Sequence, residues 1–102
     1  MIIIAVHLYA VSGAEAAMRI YEGKALRIFR KHGGEVLAAF KPAPEANGKP
    51  SPDEIQILRM ASRDAFARFM VDPERVNLSE ERKRAIAKTE VFISQTHVEY
   101  PE

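Results

Sequence analysis

The sequence contains neither cysteine nor tryptophan. Without cysteine there is no disulfide framework, no thiol nucleophile and no thiolate for a metal, and the absence fits a reducing cytoplasm, where the chain is expected to reside. A surplus of charge is also missing. The 15 Lys and Arg stand against 14 Asp and Glu, for a net charge of +1. Nucleic-acid and membrane-surface binders carry a clustered basic excess, so neither partner is expected. The three histidines, His7, His32 and His97, show no H-x-x-x-H or similar spacing, and no metal site is expected of them. Glycine-rich phosphate loops are absent as well: Gly33-Gly34 follows a helix pattern rather than opening one, and no cofactor is implied. The apolar run Ile2 to Val11 is about half of the roughly 20 residues needed to cross a bilayer. A secretory leader is disfavoured, because no Lys or Arg precedes that run and Glu15 sits at the would-be cleavage junction.

What is present is an ordinary globular mixture, 47% hydrophobic and 28% charged over 102 residues. It suits one domain, 1–102, with a modest core. Ile2 to Val11 is rich in β-branched and aromatic residues and reads as a buried strand. Its even positions (Ile2, Ile4, Val6, Leu8, Ala10) are wholly aliphatic, while its odd positions (Ile3, Ala5, His7, Tyr9, Val11) carry two polar groups. Ser12-Gly13-Ala14-Glu15 has capping-box spacing, and helical periodicity follows. Ala14, Ala17, Met18, Tyr21, Ala25, Ile28 and Phe29 share a stripe, with Glu15, Arg19, Glu22 and Arg30 assigned to the outer side. Gly23 inside that helix suggests close packing on the sheet, and Gly33-Gly34 ends the helix.

A second strand is expected over Glu35 to Lys41. The segment Pro42 to Pro52 holds four of the six prolines and an Asn-Gly turn, so it reads as a long irregular loop, either an exposed tip or a flap over a pocket. A third strand spans Asp53 to Met60, with Gln56 and Leu58 on one face and Ile55 and Ile57 on the other. Ser62 caps a helix to about Val71 with Ala65, Phe66, Phe69 and Met70 inward, and Asp72-Pro73 stops it. Ser79 opens a shorter helix to about Lys88, on which Arg82-Lys83-Arg84 reads as a solvated charged face. Val91 to Tyr100 reads as the fourth strand. The order β-α-β-β-α-(α)-β predicts an α+β, ferredoxin-like sandwich. It has a four-stranded antiparallel sheet of order 4-1-3-2 with both main helices on one face.

That arrangement leaves the odd face of the first strand uncovered. Ile3, Ala5, His7, Tyr9 and Val11, with Leu58 beside them, are expected to pack on a second copy of the chain. The motif Lys24-Ala-Leu26…Phe29-Arg-Lys-His32-Gly33-Gly34-Glu-Val36-Leu37 resembles the domain of unknown function 1330 family. So do Pro52-Asp53-Glu54-Ile55…Leu58 and Ser62-Arg-Asp-Ala65-Phe66…Phe69…Asp72-Pro73-Glu74. The resemblance implies a dimeric α/β barrel, in which ferredoxin-like sheets pair face to face, and it assigns no reaction. Relatives in that group include cofactor-independent monooxygenases, lactone isomerases and haem-degrading enzymes, and ligands sit between helices and sheet or between the paired sheets.

The candidate polar set is His7, Tyr9 and Gln56, with His97 joining if the odd parity of the fourth strand faces the cavity; otherwise Ser94 and Thr96 do. His7 and Tyr9 are the candidate base and acid of an enzyme, Gln56 and His97 the candidate ligand-binding residues. The alternatives are a small-molecule-binding homodimer without catalysis and a structural or regulatory dimerisation module, where His7 and Tyr9 only bond across the interface. An RNA-binding domain shares the topology, but the third strand offers Gln56, Leu58 and Met60 rather than stacking aromatics.

Overall fold

Nine residues of alternating burial, Ile2–Ala10, form β1, the strand about which the rest is arranged. The computed structural model describes residues 1–101. Around β1 the chain runs α1 (Glu15–Lys31), β2 (Glu35–Phe40), β3 (Glu54–Met60), α2 (Arg63–Met70), α3 (Pro73–Val76), α4 (Ser79–Ala85) and β4 (Ile86–Ile93). The sheet order is β2-β3-β1-β4 and every neighbouring pair is antiparallel, the ferredoxin-like arrangement expected from the element order.

The even face of β1 has the fate its pattern predicts. Ile2, Ile4, Val6 and Leu8 are buried under the helices with Met18, Tyr21, Ile28 and Phe29 of α1 and Phe69 of α2. Residues opposite one another on neighbouring strands share a face. Ile4 opposite Leu58 and Val6 opposite Gln56 therefore set β3's helix-side set as Gln56, Leu58 and Met60. This corrects the placement of Leu58 on the uncovered face. Gln56 turns inward because carboxylates receive its amide there, and Leu58 and Met60, which share its parity, face the helices with it.

The helix termini follow local chemistry. Gly33 (φ +85°) ends α1 in a Schellman motif, with the Gly33 N–H donating to the Arg30 carbonyl and the Gly34 N–H to the Phe29 carbonyl. Ser62 caps α2 by accepting from the Ala65 N–H at 3.1 Å. At the start of α1 the capping box does not form. Gly13 (φ +80°) closes a turn in which the Ala14 N–H donates to the Val11 carbonyl, so the helix begins from Ala14 without a side-chain cap. Gly23 is solvent-exposed, with open space where a Cβ would lie, and does not serve helix–sheet packing.

Asp72 does more than stop α2: its carboxylate accepts from the Glu74 N–H and, with Pro73 at the first position, starts α3. The largest difference is at the end of the chain. The last helix stops at Ala85 and β4 begins at Ile86, five residues before the expected start, because Ile86 pairs with Ala10 and Val91 with Val6 along β1. The strand ends at Ile93, and Ser94 finishes the edge by exchanging hydrogen bonds with the Ile3 backbone. Residues 42–52 form no regular structure apart from a turn centred on Ala46-Asn47, closed by the Gly48 N–H donating to the Glu45 carbonyl at 3.2 Å.

Candidate functional site

Between the helices and the sheet lies a cavity of about 400 Å³. Val6 and Leu8 of β1, Leu58 of β3 and Val91 of β4 form its floor. Ala25, Leu26 and Phe29 of α1 and Phe66 and Phe69 of α2 form its walls. Such a space, apolar with a few directed polar groups, is the usual form of a small-molecule site. The polar groups are Tyr21, Glu22, Gln56, Arg75, Arg82 and Thr89. None of the residues of loop 42–52 borders it.

Glu22 is the acid of this cavity. It lies on the line Met18, Glu22, Ala25, Phe29 of α1, each step three or four residues, which places it on the buried side of the helix. The outward assignment made from its charge is thereby corrected. Burial holds its carboxyl above the ordinary glutamate range, against the hydrogen bond from Gln56, which favours the ionised form. Gln56 is 1% exposed, and its Nε2 donates to Glu22 Oε1 at 2.9 Å and to Glu54 Oε2 at 2.8 Å. A buried amide that spans two carboxylates is fixed in orientation. Gln56 thus borders this cavity from the sheet, on the helix side and away from His7 and Tyr9.

Two arginines complete the wall. Arg75 of α3 donates from Nη1 to the Met70 carbonyl at 3.0 Å, and its guanidinium lies 5.3 Å from the centre of the Phe69 ring. Arg82 of α4 donates from Nη2 to Thr89 Oγ1 at 2.9 Å. Of the basic triplet only Arg82 turns in; Lys83 and Arg84 remain exposed as expected. Arg75 and Arg82 escaped the sequence reading because a charged side chain on a short helix carries no periodic signal.

The opposite face of the sheet has no helices. There β1 presents Ile3, Ala5, His7 and Tyr9, and the pairing register sets Ile55 and Ile57 of β3 and Glu90 and Phe92 of β4 beside them. Ala38 and Phe40 of β2 extend the face, Phe40 being 48% and Phe92 57% exposed. His7 and Tyr9 converge on Glu90, which the sequence reading left outside the strand. The Tyr9 hydroxyl donates to Glu90 Oε1 at 2.9 Å, and His7 Nδ1 is 3.7 Å from the same oxygen. The hydrogen bond to Glu90 raises the Tyr9 pKa above its ordinary value, so the phenol stays protonated. The His7 ring meets Phe92 edge-on at 5.6 Å, and the Lys88 ammonium lies 5.1 Å from the Tyr9 ring centre.

The remaining candidates are elsewhere. His97 lies beyond the end of β4, exposed and outside the sheet, so neither parity of a longer strand brings it to the cavity. Val11 follows β1, where its N–H bonds to the Ala85 carbonyl at 2.9 Å. His32 Nε2 meets Asp72 Oδ2 at 2.7 Å, tying the end of α1 to the start of α3; this bond is the main reason that the Asp72 pKa lies below its ordinary value. Among the described residues no group of three or more His, Asp or Glu is placed to hold a metal ion, and no helix is long and apolar enough to cross a membrane.

The fold has counterparts among solved structures. A protein of unknown function from Rhodopseudomonas palustris superposes with a TM-score of 0.76 at 16% identity, over 96% of this chain and 83% of that one. A NIPSNAP family protein of unknown function from Agrobacterium tumefaciens gives 0.68 at 21% identity, over 99% and 92%. SnoaB, a cofactor-independent oxygenase from Streptomyces nogalater, gives 0.68 at 17% identity, over 99% and 98%. At these identities the likeness is one of fold. No curated protein matches the sequence. The family model described as Domain of unknown function (DUF1330) matches residues 5–96, nearly the whole length of the sheet-and-helix unit, and the chain belongs to that family.

Proposed function

We propose that this protein binds a small organic molecule in the cavity between its helices and its sheet, and does so as a homodimer joined through the uncovered sheet face. The observation that carries the reading is the cavity of about 400 Å³, apolar in floor and wall, with Glu22 and Gln56 locked together inside it. A carboxylate is kept in such surroundings at a cost in desolvation, which a ligand-binding role explains better than stability does. Dimerisation is supported by the other face. Phe40, Ile55, Ile57, Ala5 and Phe92 form an apolar strip across all four strands, with both phenylalanines exposed, the kind of surface that marks an interaction face. Pairing two such faces buries on the order of 1,600 Å².

On this reading His7 and Tyr9 belong to the interface, and their contacts with Glu90 support it. They act there as amphipathic contacts and not as acid and base. A second reading, favoured by the burial of Glu22, is isomerase-type chemistry in which Glu22 exchanges a proton with a bound ketone. Solvent deuterium incorporation into 2-tetralone, lost in Glu22→Gln with affinity retained, is its expected sign.

The binding reading is tested by amide NMR on isotope-labelled protein titrated with the neutral probe naphthalene-2-carboxamide. Shifts are expected at Ala25, Thr89 and the Gln56 side chain. Shifts confined to Ala5, His7 and Ile57 would contradict it. Light scattering at micromolar concentration is expected to give twice the chain mass, and a monomer removes the dimer.

A further inference from the structure

We propose that the cavity is selective for organic anions, receiving the carboxylate of an aromatic or similarly apolar acid between Arg75 and Arg82. This rests on the reading of the cavity as a ligand site and names the class of ligand.

The argument starts from unused donors. A guanidinium has five N–H groups. Arg75 uses one on the Met70 carbonyl and Arg82 one on Thr89, which anchors each side chain and leaves most of its fork free. Both border the cavity from different helices, α3 and α4. Elsewhere the chain pairs its half-buried cations: Lys24 with Glu81 and Arg59 with Glu35. Among the described residues, by contrast, no carboxylate lies within 4.0 Å of Arg75 or Arg82. With no carboxylate in direct contact, and only Glu22 acting on them across the cavity, two cations beside apolar walls gain more from an anion than they would in open water.

The rest of the cavity fixes the orientation of such a ligand. Glu22 also lies more than 4.0 Å from both guanidiniums, and Glu54 stands behind Gln56. Their charge keeps a second carboxylate away from the Gln56 end. The anion therefore sits at the arginines and the body of the molecule lies on Leu58, Phe66 and Phe69. Arg75 on the Phe69 face presents a flat fork suited to bidentate contact, which a lysine ammonium could not reproduce.

The test is calorimetric titration of the full chain with two molecules of one shape, naphthalene-2-carboxylate and naphthalene-2-carboxamide. The wild type is expected to bind the carboxylate about tenfold tighter or more. Arg75→Gln and Arg82→Gln should each remove most of that preference, read as the ratio of the two affinities in the same variant. Arg75→Lys, which keeps the charge, should retain only part of it. Arg84→Gln, an exposed neighbour on α4, should keep it whole, and loss of the preference there would overturn the proposal. Equal affinity of the wild type for both molecules overturns the anion assignment and leaves the cavity reading standing. Failure of both to bind overturns the cavity reading, and the anion proposal with it.

Discussion

Gly34→Ala is a small change with a large expected effect on the candidate site. Gly34 is buried just past the end of α1, and a Cβ there would fall on the ring of Phe29, well inside contact distance. Its φ is not in the left-handed region, so backbone strain contributes nothing and the overlap acts alone. Phe29 is 1% exposed, packs edge-on against Phe69 at 5.2 Å, and borders the cavity. Overpacking of this kind costs about 1–3 kcal/mol, less than expulsion of the ring, because the cavity can accept it. For a domain of this length each kcal/mol lowers Tm by about 4–8 °C. Thermal unfolding is the assay, with Phe29→Leu as the second arm of a double-mutant cycle. Trimming the ring removes the overlap, so the double variant should be more stable than the sum of the single losses predicts. Gly34→Ala should also weaken naphthalene-2-carboxamide binding, since the displaced ring occupies the site. A Gly34→Ala variant within about 0.3 kcal/mol of wild type, or strict additivity, would refute the packing argument.

Glu22→Gln keeps an acceptor for the Gln56 amide and removes the buried charge. Because the native carboxyl is raised above 4.5, wild-type stability is fullest below that pH and declines as pH rises through the native pKa. The variant should therefore match the wild type near pH 4 and exceed it near pH 8, by about 1.4 kcal/mol for each pKa unit; a gap independent of pH on thermal scans would contradict this. Gly23→Ala, at an exposed mid-helix position, should raise stability by about 0.5–1 kcal/mol in urea unfolding. Ile57→Lys puts a charge in the middle of the uncovered face opposite Ala5, and should give a folded monomer by light scattering with unchanged ligand affinity. A dimer that survives this change would move the interface elsewhere.

The fold was legible because its signals are periodic and mutually consistent. Nine alternating residues in β1, the stripe of α1, Gly33 at its end and Ser62 at the start of α2 each act locally. Together they leave one sheet order. The misreadings share a cause: a polar residue is assigned outward unless its partner is known. Gln56 and Glu22 stand on different elements, 34 residues apart, and the buried amide and the half-buried carboxylate hold each other there. Reading Gln56 outward took Leu58 with it. The start of β4 was missed because Lys88, Thr89 and Glu90 look like the continuation of a charged helix, whereas pairing with Tyr9, Leu8 and His7 makes them strand. Arg75 and Arg82 lie on helices of four and seven residues, too short for a periodic pattern to show which face is buried. The cavity is assembled by tertiary contacts between positions whose local sequence is unremarkable, so of its polar lining only Gln56 was among the candidates.

The central claim, that a ligand belongs between helices and sheet while the other face belongs to a second copy, is tested most directly by a crystal structure grown with naphthalene-2-carboxylate. The account predicts a two-fold dimer with the ring on Leu58 and Phe66 and the carboxylate on the guanidiniums of Arg75 and Arg82. A ligand held between the two sheets against His7 and Tyr9 would contradict it.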